Sequence, residues 1–366
     1  MKIVSEIPGI LGGPATPLKN YPMNPGKACH LAYQRKAPWQ INLLFNDGTA
    51  IFNPAIIPDN VARASAVDAT VDFTASPTGG KDMFGIDWEY IPVANGSMVR
   101  PGQPMVEDAN DLEESIIWPD IDSWDWEGSR KANEAYLAMN KDKCINTTIF
   151  NGYFERLISL MDFENAIVAL IDEEQQEAVH HFLDKLSDIY VKLVDKLVEF
   201  FPEIDVFQIH DDWGSQRASF FSPEVGAKML VPYMKKVTDR VHYHGKFAHC
   251  HSCGHLMNQV ENLIAAGYDA WDPQPMNDSL ELYEKYGDQI LIGLIPKLDT
   301  KNTTEEEQRA CAREFVSKYC RPEKQSIMNC YTSPITATML GSDPLLTPAF
   351  EEELYIQSRK AYVNND

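Results

Sequence analysis

The sequence predicts an α/β fold, specifically a (β/α)8 TIM barrel with an elaborated N-terminal segment. Short apolar runs alternate with amphipathic segments over the second half of the chain, and the connections between them are short. This alternation is typical of a parallel sheet covered by helices. No Gly-rich dinucleotide-binding motif follows any of the apolar runs, which disfavours a doubly wound sheet.

The predicted strands and helices follow from composition and periodicity. Seven apolar runs have the length of buried strands: 41–45, 145–150, 206–210, 246–251, 268–272, 289–295 and 326–330. An eighth strand is expected near 67–73. Helical periodicity predicts helices at 173–200, 222–241, 256–267, 277–287 and 304–320. Pro232 is expected to kink the helix over 222–241, because proline lacks a backbone N–H and its ring crowds the preceding turn.

The chain is expected to form a single domain over residues 1–366. Residues 1–40 are rich in proline and glycine and are interpreted as an irregular N-terminal arm. Residues 74–130 carry many Gly, Pro, Asp and Trp residues and are interpreted as an elaborated insertion with a short hairpin. This insertion lacks a second set of periodic core segments, so it is not expected to be a separate domain.

Charge and composition disfavour several classes of function. The 366 residues include 32 Lys and Arg against 54 Asp and Glu, and the net charge of −22 disfavours nucleic acid and anionic membranes as partners. No apolar run approaches the roughly 20 residues of a transmembrane helix, and the N-terminus lacks the pattern of a secretory signal. The seven cysteines, an odd number, indicate free thiols and a cytoplasmic location. Free thiols can serve as metal ligands.

Polar side chains follow the predicted strands at their carboxyl ends, where TIM barrels build their active sites. His210, Asp211 and Asp212 follow strand 206–210 and are the candidate catalytic residues. Adjacent residues of an extended chain point to opposite sides, so one aspartate is expected to face the site as a general acid or base. The alternative for such an aspartate is a helix cap or a surface ion pair. Candidate substrate contacts are Trp213, Trp271, Gln274 and Tyr331, although aromatic residues are more often core.

The motif AHCHSCGH at 248–255 is the strongest chemical signal in the sequence. Residues two apart in an extended chain point to the same side, so His251 and Cys253 can reach one ion, with His249 one layer below. Zinc binds imidazole and thiolate readily, and three protein ligands with one open position are typical of catalytic zinc. Cys330, at the end of a later predicted strand, is the expected third ligand.

Two alternatives to a catalytic zinc site are open. His249 or His255 could supply a fourth ligand, which would make the zinc site structural. The motif could also bind no metal, because His-x-Cys alone occurs by chance. The other five cysteines are expected to pack as small apolar residues.

Several stretches resemble the uroporphyrinogen decarboxylase superfamily. They are 84–92, 210–237, 249–275 and 333–353, so the resemblance covers most of the chain from about residue 80 onward. It implies a (β/α)8 barrel, in agreement with the strand pattern. It also implies one of two branches: metal-free porphyrinogen decarboxylases, or cobalamin-dependent methyltransferases, which include those of anaerobic O-demethylase systems and the coenzyme M methyltransferases.

The methyltransferase branch fits the residues better. Its zinc site has the form His-x-Cys followed far downstream by Cys, and His251, Cys253 and Cys330 match that form. Segment 36–60 lacks the paired arginines with which the decarboxylases hold porphyrinogen carboxylates, and a net charge of −22 suits a polyanionic substrate poorly. The resemblance thus implies a zinc-dependent enzyme that transfers a methyl group between a small substrate, such as a methoxylated aromatic, and the cobalamin cobalt of a separate corrinoid protein.

Two other functions are alternatives. One is a metal-free decarboxylase of the same fold, and the other is a non-catalytic ligand-binding barrel with a structural zinc. The zinc content of the purified protein separates the first alternative from a methyltransferase. The Cys253→Ala variant separates the second, because losing a structural zinc removes folding energy whereas losing a catalytic zinc leaves a folded protein.

Overall fold

The computed structural model describes residues 3–7, 16–72, 79–92, 96–339 and 345–363. The chain separates into two compact units. The first unit consists of residues 1–50, 142–144 and 269–366, and the second consists of residues 51–141 and 145–268.

Strands and helices alternate along the described part of the chain. The strands are β1 (Ile3–Ile7), β2 (Thr16–Lys19), β3 (Thr49–Ile51), β4 (Gly79–Lys81), β5 (Asp87–Ile91), β6 (Gly96–Val99), β7 (Cys144–Ile149), β8 (Ile204–His210), β9 (Phe247–His251), β10 (Ala270–Trp271), β11 (Leu291–Leu294) and β12 (Ile327–Met328). The α-helices are α1 (Pro25–Tyr33), α2 (Pro58–Ala62), α3 (Leu112–Ser115), α4 (Trp126–Met139), α5 (Phe154–Ile171), α6 (Gln176–Phe200), α7 (Pro223–Met229), α8 (Val231–Tyr243), α9 (Val260–Ala265), α10 (Ser279–Tyr286), α11 (Glu305–Tyr319), α12 (Pro334–Met339) and α13 (Pro348–Val363).

Three neighbouring parallel strands position the chemistry of the second unit. β7 pairs with β8, and β8 pairs with β9, so that His210 at the end of β8 lies opposite His251 at the end of β9. Every described residue of β7 is buried, as expected for a parallel strand covered on both faces. The helix α6 packs on α5 and α8 through an apolar stripe at 3.6-residue spacing. The register therefore brings two histidines to one edge of the sheet.

The first unit has its own set of parallel strands. β10 pairs with β11, and β11 pairs with β12. The helices α11 and α13 pack along each other, with the ring centroids of Phe315 and Phe350 6.3 Å apart. The strands β1 and β2 form a separate antiparallel pair. The predicted α/β class, with helices between parallel strands as in a (β/α)8 barrel, is confirmed.

The strand prediction at 41–45 is wrong. Only Asn42 bridges β12 there, at Met328. The side chains of Asn42 and Asn46 accept hydrogen bonds from the backbone N–H groups two residues further on, at 2.8 and 2.6 Å. Such Asx turns replace strand geometry with tight local turns. The regular strand of this region is β3, a few residues later.

The expected strand near 67–73 is also absent from the described residues 67–72. Val67 makes one antiparallel bridge to Asn53, and the chain then turns because the Asp68 carboxylate accepts the Thr70 N–H at 2.8 Å. The expected kink at Pro232 is a complete break instead. The helix α7 ends at Met229, and Pro232 lies in the first turn of α8, where a missing N–H is tolerated.

The two segments interpreted as an arm and an insertion contain regular structure. The region 1–40 includes β1, β2 and α1, and the region 74–130 includes the antiparallel sheet β4–β5–β6. Residues 74–78 and 93–95 of that insertion lie outside the described residues. The assignment of residues 1–366 to a single domain stays a prediction. No helix in the described ranges is both long enough and apolar enough to cross a membrane.

Candidate metal centre

Asp211 fixes the beginning of α5. Its carboxylate accepts hydrogen bonds from the backbone N–H groups of Tyr153, Phe154 and Glu155 at 3.0, 3.1 and 2.9 Å, and from the Trp213 indole N–H at 2.9 Å. The first N–H groups of a helix have no intrahelical partner, and the positive helix end favours a carboxylate. Burial and the charge of Glu155 raise the pKa of Asp211 to about 6, and the hydrogen bonds act in the opposite direction. Asp211 is therefore engaged in holding the helix.

The turn before α5 has no room for a side chain at Gly152. A Cβ atom there would lie 2.4 Å from the Asp211 Cβ and 2.9 Å from the His210 carbonyl oxygen. The Gly152 N–H donates a hydrogen bond to that same carbonyl at 2.7 Å. The chain thus enters α5 in direct contact with the end of β8.

Asp212 holds the loop that carries Cys253. Its Oδ1 atom accepts the backbone N–H of Cys253 at 2.7 Å and lies 3.8 Å from His251 Nε2. The side chains of Asp212 and His251 are 29% and 26% exposed, so solvent reaches both. Of the two predicted aspartates, Asp212 is the one beside the predicted metal ligands.

His251 and Cys253 lie together at the end of β9. The distance between His251 Nε2 and Cys253 Sγ is 3.4 Å. Two ligands of a tetrahedral zinc ion, at about 2.0–2.1 Å for nitrogen and about 2.3 Å for sulfur, are separated by about 3.5 Å. This pair of donor atoms therefore fits zinc.

A second set of donors overlaps this pair. Ligand atoms of His210, Asp212 and His251 all lie within 4.8 Å of one another. Imidazole and carboxylate also bind divalent transition metals. Because both sets share His251, they describe one centre at the ends of β8 and β9.

The protonation states of His251 and Cys253, the two members of the donor pair, differ. Burial and the charge of His210 lower the pKa of His251 to about 4, so its imidazole is neutral near neutral pH and has a free lone pair. Burial and the charge of Asp212 raise the pKa of the Cys253 thiol. Because the thiolate is the metal ligand, a metal that binds Cys253 must displace its proton.

The ring of His210 is held next to His251 by Glu155. The two imidazole rings stack with their centroids 4.3 Å apart and 14° between their planes. His210 Nδ1 lies 2.6 Å from Glu155 Oε2, and Arg63 Nη1 donates to Glu155 Oε1 at 3.2 Å. The side chains of Arg63, Glu155 and His210 are each 13% exposed. A nearly buried network thus fixes the orientation of the His210 ring.

The charges of this network stabilise one another. Burial disfavours the Glu155 carboxylate, but the charges of His210 and Arg63 outweigh burial and hold the pKa of Glu155 well below its usual range. Burial favours a neutral His210, but the Glu155 and Asp212 carboxylates raise the pKa of its ring. One nearly buried carboxylate therefore serves two basic groups.

The remaining predicted ligand, Cys330, lies in the first unit. It is buried in the 3-10 turn Cys330–Thr332, and its backbone N–H donates to Asp272 Oδ1 at 2.8 Å. The same oxygen would lie 2.2 Å from a Cβ atom at Gly293. Asp272 therefore connects the end of β10 to the turn that carries Cys330.

The predicted substrate contacts differ in exposure. Trp271 in β10 and Trp213 after β8 are fully buried, and the Trp213 indole donates to Asp211. Gln274 Nε2 donates to the Tyr331 hydroxyl at 3.0 Å, and both of these side chains are partly exposed. Contact of these four residues with a substrate stays a prediction.

The two candidates for a fourth ligand also differ in exposure. His249 is fully buried within β9, whereas His255 is half-buried and its backbone N–H donates to the Ser215 carbonyl at 2.8 Å. A ligand role for either residue stays a prediction.

Sequence reasoning missed Arg63, Asn151 and Glu155. Arg63 Nη1 donates to Asn151 Oδ1 at 2.6 Å across 88 positions, and no local motif marks such a contact. The one available signal was the stretch FNGYFE at 150–155, which places polar residues directly after a predicted strand. The left-handed φ of 59° at Asn151 shows that this strand ends in a sharp turn.

No curated protein matches the chain. Two of the solved structures that do match it are as follows. A methyltransferase from Methanosarcina mazei is 14% identical, with 76% of each chain covered and a TM-score of 0.47. A D-psicose 3-epimerase in the presence of D-fructose is 11% identical, with 69% of this chain and 84% of that chain covered and a TM-score of 0.27. Both TM-scores are too low for either alignment to support a conclusion about this chain.

The comparison with protein families is more specific. The uroporphyrinogen decarboxylase (URO-D) family profile matches residues 152–330. This range contains Glu155, His210, His251, Cys253 and Cys330. Residues 152–330 of this chain are therefore similar to the uroporphyrinogen decarboxylase family.

Proposed function

We propose that this protein is a zinc-dependent methyltransferase that moves a methyl group between a small methoxylated substrate and the cobalt of a separate corrinoid protein. The observation that carries the proposal is the donor pair of His251 Nε2 and Cys253 Sγ, 3.4 Å apart. Cys330 is the third proposed ligand, on the basis of the His-x-Cys and distant Cys motif. A metal motif of this kind separates the methyltransferases of the superfamily from its metal-free decarboxylases.

The residues around the donor pair have distinct roles in this proposal. Zinc bound here would supply Lewis acidity to the oxygen or sulfur atom of the substrate, at the position left open by three protein ligands. Asp212 gives or takes a proton at that atom, because it is partly exposed and lies beside His251. Glu155 fixes His210, and the stacked His210 ring fixes the plane of His251.

In the proposed demethylation, the methyl group passes from the substrate oxygen to cobalt. The bond between the methyl carbon and the substrate oxygen breaks, and Co(I) of the corrinoid protein supplies the electron pair for the new cobalt–carbon bond. The oxygen keeps the electrons of the broken bond and takes a proton. In the opposite direction, a thiolate acceptor attacks the methyl group on cobalt. The same residues serve both directions, because both need negative charge on the substrate heteroatom to be stabilised.

The test is a spectroscopic assay with a reduced corrinoid protein. The purified chain is mixed with that protein and with a panel of methoxyarenes, methylamines and methylthiols, and the conversion of Co(I) to methyl-Co(III) is followed. We expect conversion with an oxygen-linked donor. The Cys253→Ala variant is expected to stay folded and to lose this conversion. Cys311→Ala, at a half-buried thiol on α11, is the matched control and should keep it.

Two results would contradict the proposal. A folded and pure protein that holds no zinc would favour the metal-free decarboxylase. Unfolding of Cys253→Ala would favour a structural zinc, because a structural metal contributes its binding energy to folding.

A further inference from the structure

Arg63 carries a guanidinium group that is linked to the metal centre through one carboxylate. Its Nη1 atom donates to Asn151 Oδ1 at 2.6 Å and to Glu155 Oε1 at 3.2 Å, and Glu155 in turn bonds His210. Within the described ranges, every side-chain hydrogen bond of Arg63 runs from Nη1. The Nε–H and Nη2 groups form the other donor edge of the planar guanidinium. Among the described residues, no acceptor forms a hydrogen bond with that edge.

Two aromatic rings lie against this guanidinium. Its Cζ atom is 4.8 Å from the ring centroid of Trp88 and 5.7 Å from that of Phe150. The Trp88 ring is fixed because its indole N–H donates to Asp82 Oδ2 at 3.0 Å. Contacts with ring faces hold a guanidinium without using its N–H donors.

Phe150 also connects Arg63 with the metal centre. Its ring centroid lies 5.7 Å from that of His210, and His210 stacks on His251. A flat apolar side chain therefore lies between the guanidinium and the donor pair. A planar substrate with a polar group at each end suits such an arrangement.

The net negative charge of the chain makes a fixed cation such as Arg63 important for binding an anionic substrate. A net charge of −22 repels small anions at long range, so an anionic substrate needs a fixed cation near its site. The Arg63 side chain is 13% exposed, and a charge in such a place is screened less than one on the surface. The N–H fork of arginine matches the geometry of a carboxylate.

We infer that Arg63 selects the substrate by binding a carboxylate group on it. This inference rests on the proposed function, because it places the carboxylate at Arg63 and the methyl-bearing oxygen at His251. The substrate is then a methoxylated ring acid that lies along Phe150. Glu155 occupies the Nη1 side of the guanidinium and leaves the Nε–Nη2 edge to the ligand.

A purely structural role for Arg63 has different consequences. The bond to Asn151 Oδ1 ties Arg63 to the turn before α5. Loss of this hydrogen bond would lower the stability of the folded protein equally, whichever ligand is bound. It would not change the relative affinity for an acid and for its neutral ester.

Isothermal titration calorimetry on the zinc-loaded full chain tests the inference. Para-methoxybenzoate is compared with its methyl ester for the wild type, Arg63→Lys and Arg63→Gln. We expect the wild type to prefer the acid, and Arg63→Gln to bind the acid roughly 10- to 100-fold more weakly with the ester unaffected. Arg63→Lys should lie between them, because lysine keeps the charge but loses the planar fork.

Arg130→Gln removes a partly exposed partner of Glu203 in the same unit and should keep the preference for the acid. Thermal melting establishes that each variant is folded. Equal affinity of the wild type for acid and ester, no binding of either, or an unchanged preference in Arg63→Gln overturns the inference.

The same titration in a Cys253→Ala background separates this inference from the proposed function. A preference for the acid that depends on Arg63 in this background supports the carboxylate site, whatever the outcome of the corrinoid assay. Methyl transfer that is equally efficient in Arg63→Gln supports the proposed function and rejects the inference.

Discussion

The Oδ1 atom of Asp212 accepts the backbone N–H of Cys253 at 2.7 Å and lies 3.8 Å from His251 Nε2. One carboxylate oxygen therefore contacts the segment that supplies both members of the donor pair. Hydrogen bonds around a metal site orient its ligands, and their loss typically lowers metal affinity by about 10- to 100-fold.

We expect Asp212→Ala to weaken zinc binding by about 10- to 100-fold, because the Cys253 backbone loses its acceptor. Competition with a chromophoric chelator measures this affinity. Asp239→Ala removes an exposed partner of Lys235 on α8 and should leave the affinity unchanged. Wild-type zinc affinity in Asp212→Ala would show that Asp212 does not position the donors.

Cobalt(II) substitution should report two thiolate ligands. We expect Cys253→Ala and Cys330→Ala each to lose about half of the thiolate-to-cobalt charge-transfer absorption, because each removes one of two sulfur ligands. Cys311→Ala should keep all of it. Full absorption in Cys330→Ala would leave His210 or Asp212 as the third ligand, in line with the overlapping donor set.

Glu155→Gln should lower the free energy of unfolding by about 3 kcal/mol, because it leaves Arg63 and His210 without their nearly buried counter-charge. Urea unfolding at neutral pH measures the change. Glu203→Gln breaks an ion pair whose side chains are 31% and 29% exposed, and it should cost less than about 1 kcal/mol. Equal losses in the two variants would show that burial does not strengthen the Glu155 network.

The stability difference between the wild type and Glu155→Gln should depend on pH. The pKa of Glu155 is held below its usual range, so the charge contributes stability above the ordinary glutamate pKa of about 4.3. This contribution is lost as pH falls through the lower folded-state pKa. Urea midpoints of the two proteins should therefore begin to converge as pH falls below about 4. A difference that does not change with pH would mean that Glu155 is not ionised in the folded protein.

Asp211→Ala should destabilise the fold by about 2–4 kcal/mol, because α5 loses its cap and the buried Trp213 indole loses its acceptor. Thermal or urea unfolding measures the change. Asp125→Ala, which removes the exposed cap of α4, should cost only about 1 kcal/mol. Wild-type stability with lost methyl transfer would assign Asp211 to catalysis instead.

The helices α6 and α5 show what sequence pattern can and cannot predict. The helix α6 was predicted at 173–200 from its apolar period and begins at Gln176, because amphipathic spacing is encoded within the helix itself. The helix α5 was not predicted. It begins without a cap from its own sequence, and Asp211 supplies the cap from a position 57 residues beyond Phe154. The sequence around α5 therefore gives no indication that Asp211 caps this helix.

The residues of the candidate site also fall into two groups, those that the sequence pattern predicts and those that it does not. His251 and Cys253 were predicted because alternation along a strand places them on one side. Arg63 and Glu155 were not, because each takes its role from partners more than 50 positions away: Arg63 is 92 residues from Glu155, and Glu155 is 55 residues from His210. Spacing along one strand is local information, whereas a network among several segments depends on the complete fold.

The contact between Gly152 and Asp211 affects how this site would respond to selection. A side chain at position 152 would collide with Asp211, and loss of Asp211 would release α5, so a library sorted only for folded protein should retain both wild-type residues. Asp212, whose side chain is 29% exposed, should vary freely in that sort and become invariant only when zinc retention is selected. The neighbouring positions 211 and 212 would then be constrained for different reasons, the first by folding and the second by metal binding.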